Sequence, residues 1–143
     1  QRPVTLSIIR PLCDAVDRCD LPWTTGGDAD WFHQTNTSAD GVDAAQSGAI
    51  SHGQRSWLRT TVTGPGTLRF YWRVSSQGNA DYLRFRVDGN TTARISGDSG
   101  WRLRTHELGA GTHVLRWEYT KNDSSSRRED AGYLDRVQWT PAP

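Results

Sequence analysis

The chain has 143 residues, 34% apolar and 23% charged, with a formal net charge of +1. That length fits one domain able to bury a core, and the apolar content excludes global disorder. The near-zero net charge gives no bulk attraction to nucleic acid or an anionic membrane. No apolar run reaches the roughly 20 residues of a membrane-spanning helix.

In chain order, residues 1–20 read as an N-terminal lead-in to a single module, with a candidate strand at Thr5–Ile9. Cys13 and Cys19 are the only cysteines. They lack the number for a zinc framework and the spacing of a C-x-x-C redox motif, so a local disulfide in an exported protein is the better reading. Bridged Cα atoms must lie within about 7 Å. Asp14 to Arg18 are therefore expected to fold back as a loop.

Beyond the lead-in, period-two alternation recurs between turn compositions, the signature of antiparallel strands. The expected strands are Trp31–Thr35, Ser56–Thr63, Thr67–Ser75, Asp81–Asp88, Thr91–Ile95, Trp101–Glu107, Thr112–Thr120 and Tyr133–Thr140. Gly64-Pro65-Gly66, Asp88-Gly89-Asn90, Gly97-Asp98-Ser99-Gly100 and Gly109-Ala110-Gly111 punctuate them as turns or loops. One short helix is a candidate at Asp40–Ser47, and the stretch from Ser124 to Asp130 reads as an exposed loop. The pattern predicts an all-β, two-sheet antiparallel sandwich of jelly-roll type, with residues 141–143 as linker to covalently attached domains of a longer parent chain.

Alternation also assigns faces. Leu68, Phe70, Trp72 and Val74 point one way, as do Leu83, Phe85 and Val87, Leu115, Trp117 and Tyr119, and Trp101 and Leu103. These sets are expected to build the core. Arg69, Tyr71, Arg73, Tyr82, Arg84, Arg86, Arg102, Arg104, Arg116 and Glu118 point the other way. Lys121 is the only lysine, so the outward face is an arginine face. Guanidinium forks pair with carboxylates and sulfates, and tyrosine rings stack on sugars. The face therefore suits an acidic polysaccharide, or is simply solvated. Trp31, Trp57 and Trp101 fall near turns or strand ends, where a ring can be partly exposed. Tyr71, Asp81, Tyr82, Arg84 and Trp101 are the first candidates for ligand contact.

The acids follow another logic. Asp28, Asp30, Asp40 and Asp43 lie early, Asp130 and Asp135 late. Calcium takes six to eight hard oxygen ligands from such loops, yet no contiguous EF-hand is present, so a site would be assembled from distant segments. Catalytic signals are weak. Gly97-Asp98-Ser99-Gly100 is similar to the nucleophile segment of trypsin-like proteases, but Trp101 follows it where those enzymes have glycine. The histidines show no H-E-x-x-H spacing, and no G-x-S-x-G is present. The reading is a non-enzyme.

Several elements resemble the MAM-like jelly rolls and the cleaved adhesin domains of bacterial proteases. They are Trp23-Thr24-Thr25-Gly26-Gly27-Asp28, Asp30-Trp31-Phe32, Ser38-Ala39-Asp40-Gly41, Ser56-Trp57-Leu58-Arg59-Thr60, Gly66-Thr67-Leu68-Arg69-Phe70-Tyr71-Trp72 and Ala131-Gly132-Tyr133-Leu134-Asp135-Arg136-Val137. From Trp23 to Pro141 the chain looks like an accessory module appended to large exported bacterial proteins. The resemblance implies a secreted, non-catalytic carbohydrate-binding or adhesive role, with a protein-interaction module or a structural spacer as alternatives. It also implies a structural calcium tying the first strand to the last. Carried over, Asp17 matches the acid of the first strand, Asp40 the early loop acid and Asp135 the acid of the closing strand. Asp43 joins them by proximity. Arg136 departs from the pattern, standing where a second acid is usual. The expected partner is polysaccharide, with no nucleic acid and no membrane.

Overall fold

The computed structural model describes residues 12–76, 81–121 and 130–142. The expected Thr5–Ile9 strand and the loop residues 124–129 lie outside them. A short helix, α1 (Leu12–Ala15), precedes β1 (Thr24–Gly27), β2 (Phe32–Gln34), β3 (Ala44–Gln46), β4 (Arg55–Ser75), β5 (Tyr82–Val87), β6 (Asn90–Ser96), β7 (Arg102–Thr120) and β8 (Ala131–Pro141). All strand pairs are antiparallel.

The two long strands build the jelly roll, because each serves both sheets. Residues 55–64 of β4 pair with β1 and with residues 111–120 of β7, which pair with β5, which pairs with β6. This is the first sheet. Residues 66–75 of β4 pair with residues 102–108 of β7 and with β8, followed by β3 and β2. This is the second.

Two expected turns are therefore not turns. Gly64-Pro65-Gly66 and Gly109-Ala110-Gly111 lie opposite one another inside β4 and β7, where both strands bend from one sheet into the other. A reversal there would have paired each half-strand with its own continuation; the register pairs β4 with β7 along both halves instead. The approach at the bend excludes a side chain. A Cβ on Gly64 would fall 2.0 Å from the Gly109 carbonyl oxygen. Asp88 and Gly89 do form a reversing turn, with positive φ at both residues, as a two-residue hairpin with right-handed strand twist requires. The expected helix at Asp40–Ser47 is absent. Asp40 Oδ1 accepts the amides of Val42 and Asp43 at 2.9 and 3.3 Å, turning the chain into β3.

Burial alternates along β4 in both halves, so one side of each sheet faces the other. Leu58, Leu68, Phe70, Trp72, Val74, Leu83, Phe85, Leu115, Trp117 and Tyr119 are buried between the sheets. The centre is aromatic: Phe70 lies 4.9 Å from Phe85 and 5.3 Å from Trp117, ring to ring, and Trp72 closes on it at 5.5 Å. Each such burial contributes about 1.5–3 kcal/mol, and each favourable aromatic pair about 0.5–1.5 more.

One inward assignment differs from the expectation. Leu103 is 51% exposed, because its register partner is the outward Tyr71. His106, opposite Leu68, faces in instead and stacks on Phe70 at 5.9 Å. Trp31, expected near the surface, is buried, and its backbone amide donates to Thr25 Oγ1.

The lead-in docks on the sandwich. The Cys13–Cys19 disulfide holds the Cα atoms 4.6 Å apart, closing α1 and the turn after it into a small loop. Ala15 and Val16 are fully buried, and the Val137 amide donates to the Val16 carbonyl at 2.9 Å. Residues 12–20 of the expected lead-in thus pack on the sandwich.

Candidate functional site

The docked lead-in brings a carboxylate to the closing strand. Asp17 lies in the turn after α1 with φ of 63°, not on a strand. Asp40 and Asp43 belong to the turn before β3, and Asp135 lies on β8. The ligand oxygens of these four residues all fall within 4.8 Å of one another. A bulge aims Asp135 at this point: β8 carries an extra residue opposite Phe70, with Arg136 at φ 52°.

Amides hold the carboxylates in place. Asp135 Oδ2 accepts from the Ala39 and Asp40 amides at 2.8 and 3.2 Å, and Oδ1 from the Arg136 amide at 2.8 Å. His33 Nε2 bonds Asp43 Oδ2 at 2.9 Å. Burial pushes the Asp135 carboxyl up to about 6 against those amides, with Asp40 adding repulsion. Asp17 is pushed up to about 7 by burial of its carboxyl end, a hydrogen bond with Asp40 and the charge of Asp135. For Asp40, burial works against ionisation, but the Val42 and Asp43 amides and the bond with Asp17 bring its pKa below the ordinary value. Asp17 and Asp135 are thus held above the ordinary carboxylate range, and the four residues offer only hard oxygen donors, a set that fits calcium. Arg136 borders the same hollow, beside Asp17 and Asp40.

The outward residues divide between two opposite faces. Tyr71 and Trp101 belong to the second sheet's side. Tyr71 is half-buried with the Arg136 guanidinium 5.8 Å from its ring, and Trp101 Nε1 donates to Thr37 Oγ1 at 3.1 Å. Tyr82 and Arg84 lie on the first sheet's outer face. Asp81, just before β5, is completely buried and presents nothing to a ligand from outside. The five expected contact residues therefore do not converge on one surface.

On the first sheet, register arranges the outward side chains in rows. Arg59, Arg116 and Arg86 stand side by side on β4, β7 and β5. Trp57, Glu118, Arg84 and Arg94 form the next row, across to β6, and Arg55, Thr120, Tyr82 and Ser96 the third. Glu118 is almost fully buried at the centre, with Arg116, Arg86 and Arg55 nitrogens 3.4, 3.8 and 4.0 Å from its oxygens. A hollow of about 540 Å³ opens here, lined by Arg55, Tyr82, Arg84, Arg86, Glu118 and Thr120 among others. Sequence reasoning named Tyr82 and Arg84 but not Arg55, Arg86, Arg116, Glu118 or Trp57 as site residues. Their outward parity was the available signal.

The protease-like Gly97-Asp98-Ser99-Gly100 segment has a structural task. Ser99 Oγ accepts the Val74 amide at 3.0 Å and donates to the Gly100 carbonyl at 2.8 Å, securing the connection between β6 and β7.

No family model matches the sequence, and no curated protein matches it. Solved structures do. The chain is similar to the secreted serine protease VesC from Vibrio cholerae, with a TM-score of 0.66 and 18% identity over 86% of this chain, which spans 25% of the VesC chain. It is similar to TmCBM61, solved in complex with β-1,4-galactotriose, with a TM-score of 0.58 and 13% identity over 85% of this chain and 89% of that one. The K3 cleaved adhesin domain of Lys-gingipain from Porphyromonas gingivalis matches with a TM-score of 0.57 and 15% identity, over 82% of this chain and 91% of that one. At these identities the likeness is one of fold: the chain is a jelly-roll β-sandwich of the kind found in carbohydrate-binding modules and a cleaved adhesin domain.

Proposed function

We propose that the chain is a non-catalytic carbohydrate-binding module that targets a secreted, multidomain parent protein to a polysaccharide, an acidic polymer among the ligands its arginines admit. The observation that carries this reading is the first sheet's outer face, where strand register fixes Arg55, Arg84, Arg86 and Tyr82 around a hollow. The fold neighbour solved with galactotriose and the adhesin domain support a binding role. The Cys13–Cys19 disulfide suits an oxidising, extracellular compartment. Linking such a module to a catalytic domain raises local substrate concentration without new chemistry.

Calcium belongs to this proposal as a structural ion. Asp17, Asp40, Asp43 and Asp135 would hold it, and it would tie the α1 turn and the turn before β3 to β8. Its chemistry is charge neutralisation of a carboxylate quartet.

A protein-docking role is the second reading. It would use the opposite face, where Leu103 stands half-exposed beside Tyr71. Binding of the intact chain to a panel of soluble and insoluble polysaccharides separates the two. Retention on at least one polymer supports the module; retention on none, neutral or acidic, rejects it.

A further inference from the structure

On the first sheet's outer face, six arginines and one acid occupy the rows described above. Arg59 is directly opposite Arg116, Arg116 opposite Arg86, and Arg84 opposite Arg94. Like charges in direct cross-strand register destabilise a sheet. A face selected only for stability would alternate signs. Here Glu118 is the single carboxylate within the rows, and its contacts with Arg55 and Arg86 are long, 4.0 and 3.8 Å. Arg86 Nε is buried and has no hydrogen-bond partner among the described residues. Crowding also shows at Arg84, whose pKa is lowered by burial and by the charges of Arg86 and Arg94.

The aromatic rings of this face are already engaged. The Arg59 and Arg116 guanidiniums lie 4.8 and 4.6 Å from the Trp57 ring centre, and those of Arg84 and Arg94 lie 5.0 and 4.6 Å from that of Tyr82. Trp57 also rests on Gly26, where a Cβ would come within 2.6 Å of the ring. The rings thus steady guanidiniums rather than offer open platforms for sugars or bases. Neighbouring strands stand about 4.8 Å apart and alternate residues about 6.8 Å along a strand. The rows accordingly cover more than one small anion can fill, and they repeat in both directions.

We propose that the first sheet's outer face is an anion-reading surface for an extended acidic glycan, with Arg55, Arg59, Arg84, Arg86, Arg94 and Arg116 engaging the carboxylate or sulfate groups of successive sugars and Glu118 spacing the guanidiniums. The inference rests on the carbohydrate-binding reading and names its ligand class. Recognition is by charge spacing, not by stacking on the sugar ring. Nucleic acid is disfavoured because no open aromatic platform remains for bases and the whole-chain net charge is only +1.

Calorimetric titration of the intact chain with dextran sulfate, polygalacturonate, neutral dextran and a single-stranded oligonucleotide tests it. Binding is expected to one or both acidic polymers, the two arms distinguishing sulfate from carboxylate, and to weaken steeply with added salt. Arg86→Gln/Arg116→Gln/Glu118→Gln removes two cations together with the carboxylate they surround, and should weaken binding by about tenfold or more. The rim pair Arg55→Gln/Arg59→Gln should weaken it a few-fold with unchanged melting temperature. Glu118→Gln alone should strengthen it, an effect that a purely structural role does not produce. Equal affinity of the wild type and both arginine variants for an acidic polymer overturns the assignment, as does equal affinity for the oligonucleotide. Binding to a neutral polymer alone overturns it while leaving the carbohydrate-binding reading intact; binding to none of the polysaccharides overturns both.

Discussion

The carboxylate quartet and the arginine rows are assembled by different means. Three of the four acids come from turns, with only Asp135 on a strand, and they converge because α1 and the turn before β3 fold onto β8. Every arginine of the rows lies on a strand, and cross-strand register alone sets its neighbours. One site depends on docked irregular segments that a bound ion would fasten; the other is fixed by the sheet itself. A whole-chain charge of +1 conceals both, because it averages two concentrated charges of opposite sign.

The largest effect comes from breaking the scaffold that both regions share. Phe70→Ala should cost about 3–5 kcal/mol, since Phe70 packs on Trp72, Phe85 and Trp117 at once. Denaturant unfolding measures this directly, and a loss under 1 kcal/mol would mean that the aromatic centre is not the core.

Calcium should then separate the two regions. At a hundredfold excess over its Kd, it should stabilise by about 2.7 kcal/mol, or roughly 8 °C in melting temperature. Asp135→Asn should abolish that response, whereas Arg55→Gln/Arg59→Gln should leave it unchanged. A melting curve identical with calcium and with chelator would remove the ion from the proposal.

Acidity sharpens the same contrast. Asp17 and Asp135 titrate higher in the folded chain, at about 7 and about 6, than the 3.8 expected of an unfolded aspartate. A raised carboxyl pKa means that the folded state holds protons the unfolded state has released. Their contribution is therefore fully present below about pH 4 and is lost as pH rises through about 6 and then about 7. Asp40, lowered, works the other way, losing its contribution as pH falls below the ordinary carboxylate range. The calcium-free protein should melt lower at pH 8 than at pH 5.5, and saturating calcium should shrink that difference. His106, lowered by burial, works the other way across this interval, so the contradicting result is a calcium-free melting temperature that rises in a His106→Gln variant.

Salt gives the smallest effect. Raising ionic strength from about 0.01 to about 0.15 M shortens the screening length from about 30 to about 8 Å. Both like-charged clusters should relax, stabilising the calcium-free chain by at most about 0.5 kcal/mol. Thermal melts across a salt series measure it; a fall in melting temperature would mean that attractive pairs dominate both regions.

The sequence made the sandwich legible where alternation is long and bounded by breakers, as from Leu68 to Val74 and from Leu115 to Tyr119. It misled at the bends. Gly64-Pro65-Gly66 has turn composition, but composition does not reveal whether a strand reverses or merely changes sheet. It misled again at Leu103, since alternation sets parity while pairing to Tyr71 sets the face. The acid quartet was reached through family resemblance rather than spacing, because no local pattern links Asp17 to Asp135. Asp17, which the resemblance matches to the acid of a first strand, lies instead in the fold-back that the Cys13–Cys19 spacing predicts. The outward arginines were visible one strand at a time. That Arg59, Arg116 and Arg86 stand in one row required the register of three strands, which single-strand periodicity does not contain.

Affinity electrophoresis in native gels cast with polygalacturonate or dextran sulfate tests the division of labour most directly. Relative to a polymer-free gel, the wild type and Asp135→Asn should be retarded alike by an acidic polymer, while Arg86→Gln/Arg116→Gln/Glu118→Gln should be retarded far less. Equal retardation of all three proteins relative to the polymer-free gel, or none for any of them, would contradict the assignment of binding to the arginine face.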